Sequence, residues 1–362
     1  GLGALGTPLT YGTSKAAMNH LAQELARITG AGGITKDTNT SDLNLTNTGN
    51  NYSGTTTVSA GRIVVSAPGH LSNGATTVVQ SGIGQLFIAN SLSTFTNPFN
   101  ISGTGFAEGD SQSNFVGAIR LDGTNTLSGA ITLSGNARIG AYGTAANTIS
   151  GKITGGFGIE FYGMNSGNNS AEVFTISNPA NDYTGATTIT NSNYASSTFT
   201  GVSTTLKLGA SNVIPDGVSA SNVVFAINGT NPGATNVLDL NGFSDTINGL
   251  TVNAGTFATN ITNSATGASV LTIGANNTTS SFGGTITDAG SGRTLAITKI
   301  GSGNLILSGV NTYTDNTTVS AGTLTFSGTG SIYSTIGSSP ATVTVDSGTQ
   351  ILLSGAATNN VL

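Results

Sequence analysis

Fifteen acidic residues, ten basic ones, two histidines and no cysteine leave a chain of 362 residues little raw material for chemistry. Cleaving a polysaccharide takes paired carboxylates, or a Ca²⁺ site with a base beside it. Two pairs come near that requirement. Glu108 and Asp110 sit two apart in FAEGDSQ, on one face of an extended strand, and Asp239 and Asp245 flank a turn. Neither pair has an Arg, Lys or His near it to complete a site, and nothing follows the Gly-Gly-x-Gly-x-Asp calcium repeat. These acids are expected to be solvated surface carboxylates. His20 and His70 are far apart with no other ligand around them, which argues against zinc. Serine is abundant, yet no base and orienting acid can be assigned to activate one. The residues therefore nominate no catalytic, cofactor-binding or metal-ligating group.

Tyr52, Tyr183 and Tyr313 are more informative, because each recurs at the same place in a longer phrase. Residues 34–65 read ITKDTNTSDLNLTNTGNNYSGTTTVSAGRIVV and residues 297–326 read ITKIGSGNLILSGVNTYTDNTTVSAGTLTF, with a third copy, VFTISNPANDYTGATTIT, at 173–190. Exposed at intervals, such rings would make a carbohydrate-stacking ladder. Recurrence at one point of a repeat argues more simply for a structural role at a corner. A short β-unit written several times cannot bury its apolar face alone, so the copies must stack into one elongated body.

The elements that position these residues follow from periodicity. After Gly33 apolar residues alternate with Thr, Ser and Asn in runs such as 43–45, 62–65, 131–133, 204–208, 271–273 and 304–307, each bounded by Gly, Asn or Ser. These are strands of three to six residues with Leu, Ile, Val and Phe inside. A degenerate copy at 119–135, IRLDGTNTLSGAITLSG, puts Leu127 where the others have tyrosine. Gly and Asn turn the corners because both tolerate positive φ. At roughly 22 to 30 residues per coil, the chain makes on the order of a dozen coils and a rod of about 60 Å. The fold class is all-β, a β-solenoid, with domain boundaries at 1–32 and 33–362.

The first segment differs. Residues 13–28, TSKAAMNHLAQELARI, are rich in helix formers and lack Gly and Pro, and Met18, Leu21, Leu25 and Ile28 line one face. One short amphipathic α-helix is expected there, with Gly30 as its terminating left-handed residue. It would cap the first coil or contact another subunit. At the other end ILLSGAATNNVL, with Ile351, Leu352 and Leu353, ends in strand-like sequence without a cap, which favours head-to-tail self-assembly of copies.

Composition removes several partners. Only 7% of residues are charged, and a net charge of −5 offers no basic stripe for nucleic acid. No apolar run approaches the roughly 18 to 20 residues of a membrane helix, so no membrane insertion is expected. The chain opens at Gly1 with no basic n-region, so any signal peptide has been removed or lies outside this piece.

Two resemblances add to this reading. YGTSKAAMNHLAQELAR, residues 11–27, resembles the active-site helix of short-chain dehydrogenases, with Tyr11 and Lys15 at the catalytic positions. Only ten residues precede Tyr11, so the nucleotide-binding half those enzymes need is missing, and no cofactor is expected. Over most of 33–362 the chain resembles the autotransporter-associated β-strand repeat of bacterial secreted and surface proteins. The phrases that carry this are LDLNGFSDTINGLTV at 238–252, FGGTITDAGSG at 282–292, LGASNVIPDG at 208–217 and the 297–326 copy. That family implies a right-handed, single-stranded parallel β-helix, export to the cell surface or beyond, and adhesive or scaffolding roles without catalysis. No C-terminal run reads as the amphipathic strands of an outer-membrane barrel. The expected function is thus a non-enzymatic extracellular fibre or adhesin-like passenger that polymerises head to tail. The alternatives are a solenoid that binds surface glycans through Thr, Asn and Tyr, and a polysaccharide-cleaving β-helix.

Overall fold

The computed structural model describes residues 9–11, 27–38, 42–72, 77–79, 83–90, 92–107, 115–164, 171–191, 203–226, 234–253, 258–288, 290, 292–328 and 342–354. Within them the chain winds as a parallel β-solenoid whose coils have three faces. One coil shows the plan: Ala258–Asn263 forms face 2, Gly267–Ile273 face 3 and Ser280–Phe282 face 1. The next coil repeats it with Thr285–Asp288, Arg293–Lys299 and Asn304–Leu307, and Ile261 stacks on Ile286, Leu271 on Ile297 and Phe282 on Leu307.

Toward the N-terminus faces 3 and 1 merge into long bent strands, Thr56–Val65 and Ile131–Tyr142, each pairing with two strands on either side. From Leu9–Tyr11 to Gln350–Ser354 the pairings link fourteen levels among the described residues. At about 4.8 Å per level that is a rod of about 60 Å.

Parity explains the core. In each strand every second residue points inward, and the inward residues form unbroken columns along the axis. One runs Ile63, Leu86, Ile119, Ile139, Phe161, Ile189, Phe225, each stacked on the next and none with exposed surface. The core is one continuous cluster from Ile34 to Phe326. Each fully buried aliphatic or aromatic side chain contributes roughly 1.5–3 kcal/mol relative to exposure.

Corners vary far more than strands. Asn304 stacks on Thr323, nineteen residues on, while Thr187 stacks on Val223, thirty-six residues on. Their backbone groups are satisfied across levels by short polar side chains. Asn50 Oδ1 accepts from the Ile28 N–H, Asn181 Oδ1 from Ile153, Asn248 Oδ1 from Gly217, Asn263 Oδ1 from Gly242 and Asn311 Oδ1 from Ile286, at 2.7–3.0 Å. This is a physical reason for the asparagine content: each bond gives a partner in a neighbouring coil to a backbone donor.

The expected N-terminal helix falls, except for its last two residues, outside the described residues. Arg27 and Ile28 are not helical. They lead into Thr29–Gly30, which pairs with Asn51–Tyr52, and Gly30 takes φ +110° inside that pairing instead of ending a helix. Ahead of them Leu9–Tyr11 stacks on Ile34–Asp37, so Tyr11, the residue matched to a dehydrogenase proton donor, is part of a strand. Strand pairing therefore crosses the 32/33 boundary.

Candidate functional site: an arginine–aromatic face and its docked arm

The most differentiated surface lies on face 1 between Asp42 and Met164. Arg62, Arg120 and Arg138 project from three levels, with the level of Phe87 between the first two, each paired with a carboxylate: Arg62 with Asp42 at 2.6 Å, Arg120 with Asp122 at 2.8 Å and Arg138 with Glu160 at 2.7 Å. Rings fill the spaces between them. The Arg62 and Arg120 guanidinium carbons lie 5.0 and 4.4 Å from the Phe87 ring centre, Arg120 lies 5.2 Å from Tyr142, and Arg138 lies 4.2 Å from Tyr162. Strand register produces this order, since Phe87 stacks on Arg120, Arg138 on Glu160 and Asp122 on Tyr142. Each cation–ring contact is worth about 0.5–2 kcal/mol, rising with desolvation.

An arm lies across this face. Its described parts are residues 104–107, which leave the coil after Gly103, and residues 115–117, which lead back to it at Ala118, and the antiparallel bridge Ala107–Phe115 joins the two. Val116 is fully buried in a satellite cluster with Tyr162 and Met164, against Tyr142. Arg138 Nη1 donates to the Phe115 carbonyl, and the buried Gln85 Nε2 donates to the Gly117 carbonyl at 3.0 Å. Glycine permits the contact, because a Cβ on Gly140 would lie 1.6 Å from the Val116 carbonyl oxygen. Beside the arm a shallow groove of about 470 Å³ runs along the corner between faces 3 and 1. It is floored by Gly158, Gly185 and Ala186 and walled by Asn136, Glu160 and Thr188. The guanidinium groups are committed to carboxylates and rings, so the arrangement holds a shaped surface; it does not present a free acid or base.

The other sites proposed from the sequence resolve differently. Glu108, Asp110, His20, Lys15, Met18, Leu21 and Leu25 lie outside the described residues. Ile28 is half-buried against the core. Ile351 also packs on it, while Leu352 and Leu353 are 45% and 55% exposed. His70 is buried in a short 3₁₀ turn, where its Nδ1 accepts from the Ser66 N–H and burial lowers its pKa.

Asp239 and Asp245 are not solvated surface carboxylates; both are buried. Asp245 shares the inward parity of Ile247, and its Oδ2 accepts from the Val213 N–H at 2.8 Å. Burial pushes its carboxyl up to about 7, against those backbone bonds and helped by the charge of Asp216. Asp239 Oδ1 accepts from the Asn241 and Ser264 N–H groups and its Oδ2 from the Ser264 hydroxyl. Glu172 behaves likewise, holding the Thr144 and Ala145 N–H groups at 2.9 and 3.0 Å, and burial raises its pKa. Among the described residues no three His, Cys, Asp or Glu side chains gather as a metal site.

The tyrosines are corner residues. Tyr52, Tyr183 and Tyr313 are each 1% exposed, and each hydroxyl bonds the threonine four residues on at 2.6 Å. Burial pushes the Tyr313 phenol up to about 12 and Tyr183 further in the same direction. Two residues after the tyrosine, Gly54 and Gly185 let the corner lie on the coil before it, where a Cβ would meet backbone at 2.4 and 2.0 Å.

The repeat also hides two lysines. Lys299 is buried, and its Nζ donates to the carbonyls of Ile300, Gly301 and Ala321 at 2.6, 2.8 and 3.1 Å. Lys36 occupies the same place in the first copy, also buried, bonded through Nζ to the Thr38 carbonyl and hydroxyl. Each lies at the Ser-Ala-Gly corner of the next coil, 59–61 or 320–322, and burial lowers both pKa values.

Sequence reading missed the arginine–aromatic face, the arm and the lysines. Parity carried the signal for the lysines, since Lys36 and Lys299 stand two after Ile34 and Ile297 and so face inward. Spacing carried it for the arm: Phe99 stacks on Ile131, thirty-two residues on, where neighbouring coils take about twenty-two.

Comparison with known proteins bears on what this surface belongs to. A model of the passenger-associated transport repeat matches residues 38–65, 169–191 and 297–330, the stretches around the three tyrosines. The adhesin BmaC autotransporter of Brucella suis biovar 1 (strain 1330) is 32% identical over 300 residues, which is 81% of this chain and 7% of the relative. The chain thus spans a small fraction of the length of the curated relative it matches. No solved structure matches it.

Proposed function

Because the chain is a bacterial cell-surface or extracellular protein built from autotransporter passenger repeats, we propose that it is a length of non-catalytic, adhesin-like rod. Its work is to hold an attachment surface in a fixed orientation. One observation carries this reading: the groups that could do chemistry are used to join coils. Asp239, Asp245, Glu172, Lys36 and Lys299 all face backbone amides or carbonyls, most of them in a neighbouring coil. The matched relative is named an adhesin. The purified chain, added in excess, is expected to compete with bacteria displaying it for attachment to a host-cell or matrix surface. Failure to compete on every surface that those bacteria colonise sinks the reading. Polysaccharide turnover that disappears with Asp239→Asn would replace it with the hydrolase.

Head-to-tail assembly is a second reading, favoured by the exposed apolar side chains of Gln350–Ser354. Among the described residues that strand pairs only with Thr323–Ser327. Exposed Leu352 and Leu353 would gain a partner if another copy stacked there. Negative-stain images are then expected to show filaments that lengthen with concentration. Discrete rods at every concentration remove the idea.

A further inference from the structure

The interior of face 2 holds an apolar column and, beside it, a polar one. Phe174, Leu206, Leu238 and Ile261 stack in register with no exposed surface. Two residues earlier in each strand, on the same inward parity, Glu172, Thr204, Asn236 and Thr259 stack in the same order and are 0–3% exposed. A polar file inside an apolar core has to find its hydrogen bonds there.

Not all of them are found within the chain. Glu172 is satisfied, since its carboxylate accepts from the Thr144 and Ala145 N–H groups. Asn236 is half satisfied: its Nδ2 donates to the Ala226 carbonyl at 2.7 Å, which fixes the amide, while its Oδ1 has no partner. The Thr204 hydroxyl, one coil before it, has none either. Both oxygens are sealed from outside solvent, so each would bear its full desolvation penalty if left alone.

Spacing indicates what joins them. Directly stacked residues leave their backbones about 4.8 Å apart, whereas an O–H···O bond spans about 2.8 Å. Two such bonds meeting at one tetrahedral oxygen cover about 4.6 Å, close to one coil step. Space beside the hydroxyl is kept by a glycine, because a Cβ on Gly163 would lie 2.1 Å from Thr204 Oγ1.

We propose that an ordered water molecule sits between Thr204 and Asn236, donates to Asn236 Oδ1 and bonds the Thr204 hydroxyl. It passes a hydrogen bond from one coil to the next through the core. A polar lining selects water over a dry void, which apolar side chains would surround. It also selects water over a metal ion: a hydroxyl and an amide oxygen bring no charge, and the carboxylate of the file is already held by backbone amides. The site belongs to the shaft and is independent of the adhesin reading.

An isosteric swap in the full chain tests it. Thr204→Val keeps the shape and removes the hydroxyl, so the water loses a partner and melting is expected to fall by about 2 °C. Were no water there, valine would replace an unpaired hydroxyl with a methyl, and melting would hold or rise. That result overturns the proposal. Should the variant misfold, a high-resolution crystal structure of the wild-type chain decides. A water within hydrogen-bonding distance of both oxygens is the expected result. A direct bond between Thr204 and Asn236, a cation between them, or no solvent density there refutes it.

Discussion

The two ends of the rod share one interior and differ outside. Between Asp42 and Met164 the outer surface of face 1 is a lattice of guanidinium groups, carboxylates and rings with an arm laid over it. Between Thr246 and Thr344 the outer surface of face 3 is a file of threonines. Beneath both, the inward residues are the same Leu, Ile, Val and Phe columns. Inward and outward positions alternate, so the core constrains only half of each strand and leaves the other half to diversify.

The sharpest way to break that comparison is to crowd the arm. Gly140→Ala places a methyl against the Val116 carbonyl and should cost about 2–4 kcal/mol of local stability, on the scale of overpacking with strain. Chymotrypsin is then expected to cut at Phe106 or Phe115 well before the rest of the rod. Gly283→Ala, in the plainer half, meets only the Ser308 hydroxyl at 3.3 Å and should change melting by less than about 0.5 kcal/mol. Equal effects would remove the distinction between the halves.

Next come the buried charges of the regular coils. Lys299→Met strands three carbonyls and should destabilise by about 2–3 kcal/mol, while Lys152→Met, whose partner Asp182 is exposed, should cost at most about 0.5 kcal/mol. Urea denaturation of the two variants compares them. For Asp245 the sign follows from its raised pKa. The folded state holds a proton that the unfolded chain releases near 3.8, so its contribution is full below that value and is lost as pH rises through about 7. Wild-type melting should therefore fall between about pH 4 and 7 in part through this group, and Asp245→Asn should flatten that portion.

The smallest effect sharpens what the halves have in common. Tyr52→Phe, Tyr183→Phe and Tyr313→Phe each remove one buried hydroxyl bond and should each cost about 1 kcal/mol. A large difference among the three would mean that the corner motif is not one structural unit.

Much of this was legible in the sequence. Alternation located the strands, and recurrence of the Tyr52, Tyr183 and Tyr313 phrase identified stacked coils and a corner role for the rings. Asp239 and Asp245 were misjudged because an acid beside Gly and Asn looks solvated, and only the coil stacked against them supplies the amides that make burial affordable. The face built by Arg62, Phe87, Arg120 and Tyr142 brings together residues up to eighty apart in sequence, and register, not local pattern, joins them. Glycan binding and end-to-end assembly are questions of surface, on which a core-driven pattern is silent.

Unequal corners have a consequence for how such a molecule changes over generations. A whole coil can take nineteen residues or thirty-six, the difference lying mostly in its corners, and its strands still meet their partners in register. Length is therefore close to neutral at corners and tightly fixed within strands. A lineage can lengthen, replace or remove a projecting segment at one level without renegotiating its neighbours, so new surface can be tried on an old shaft one coil at a time.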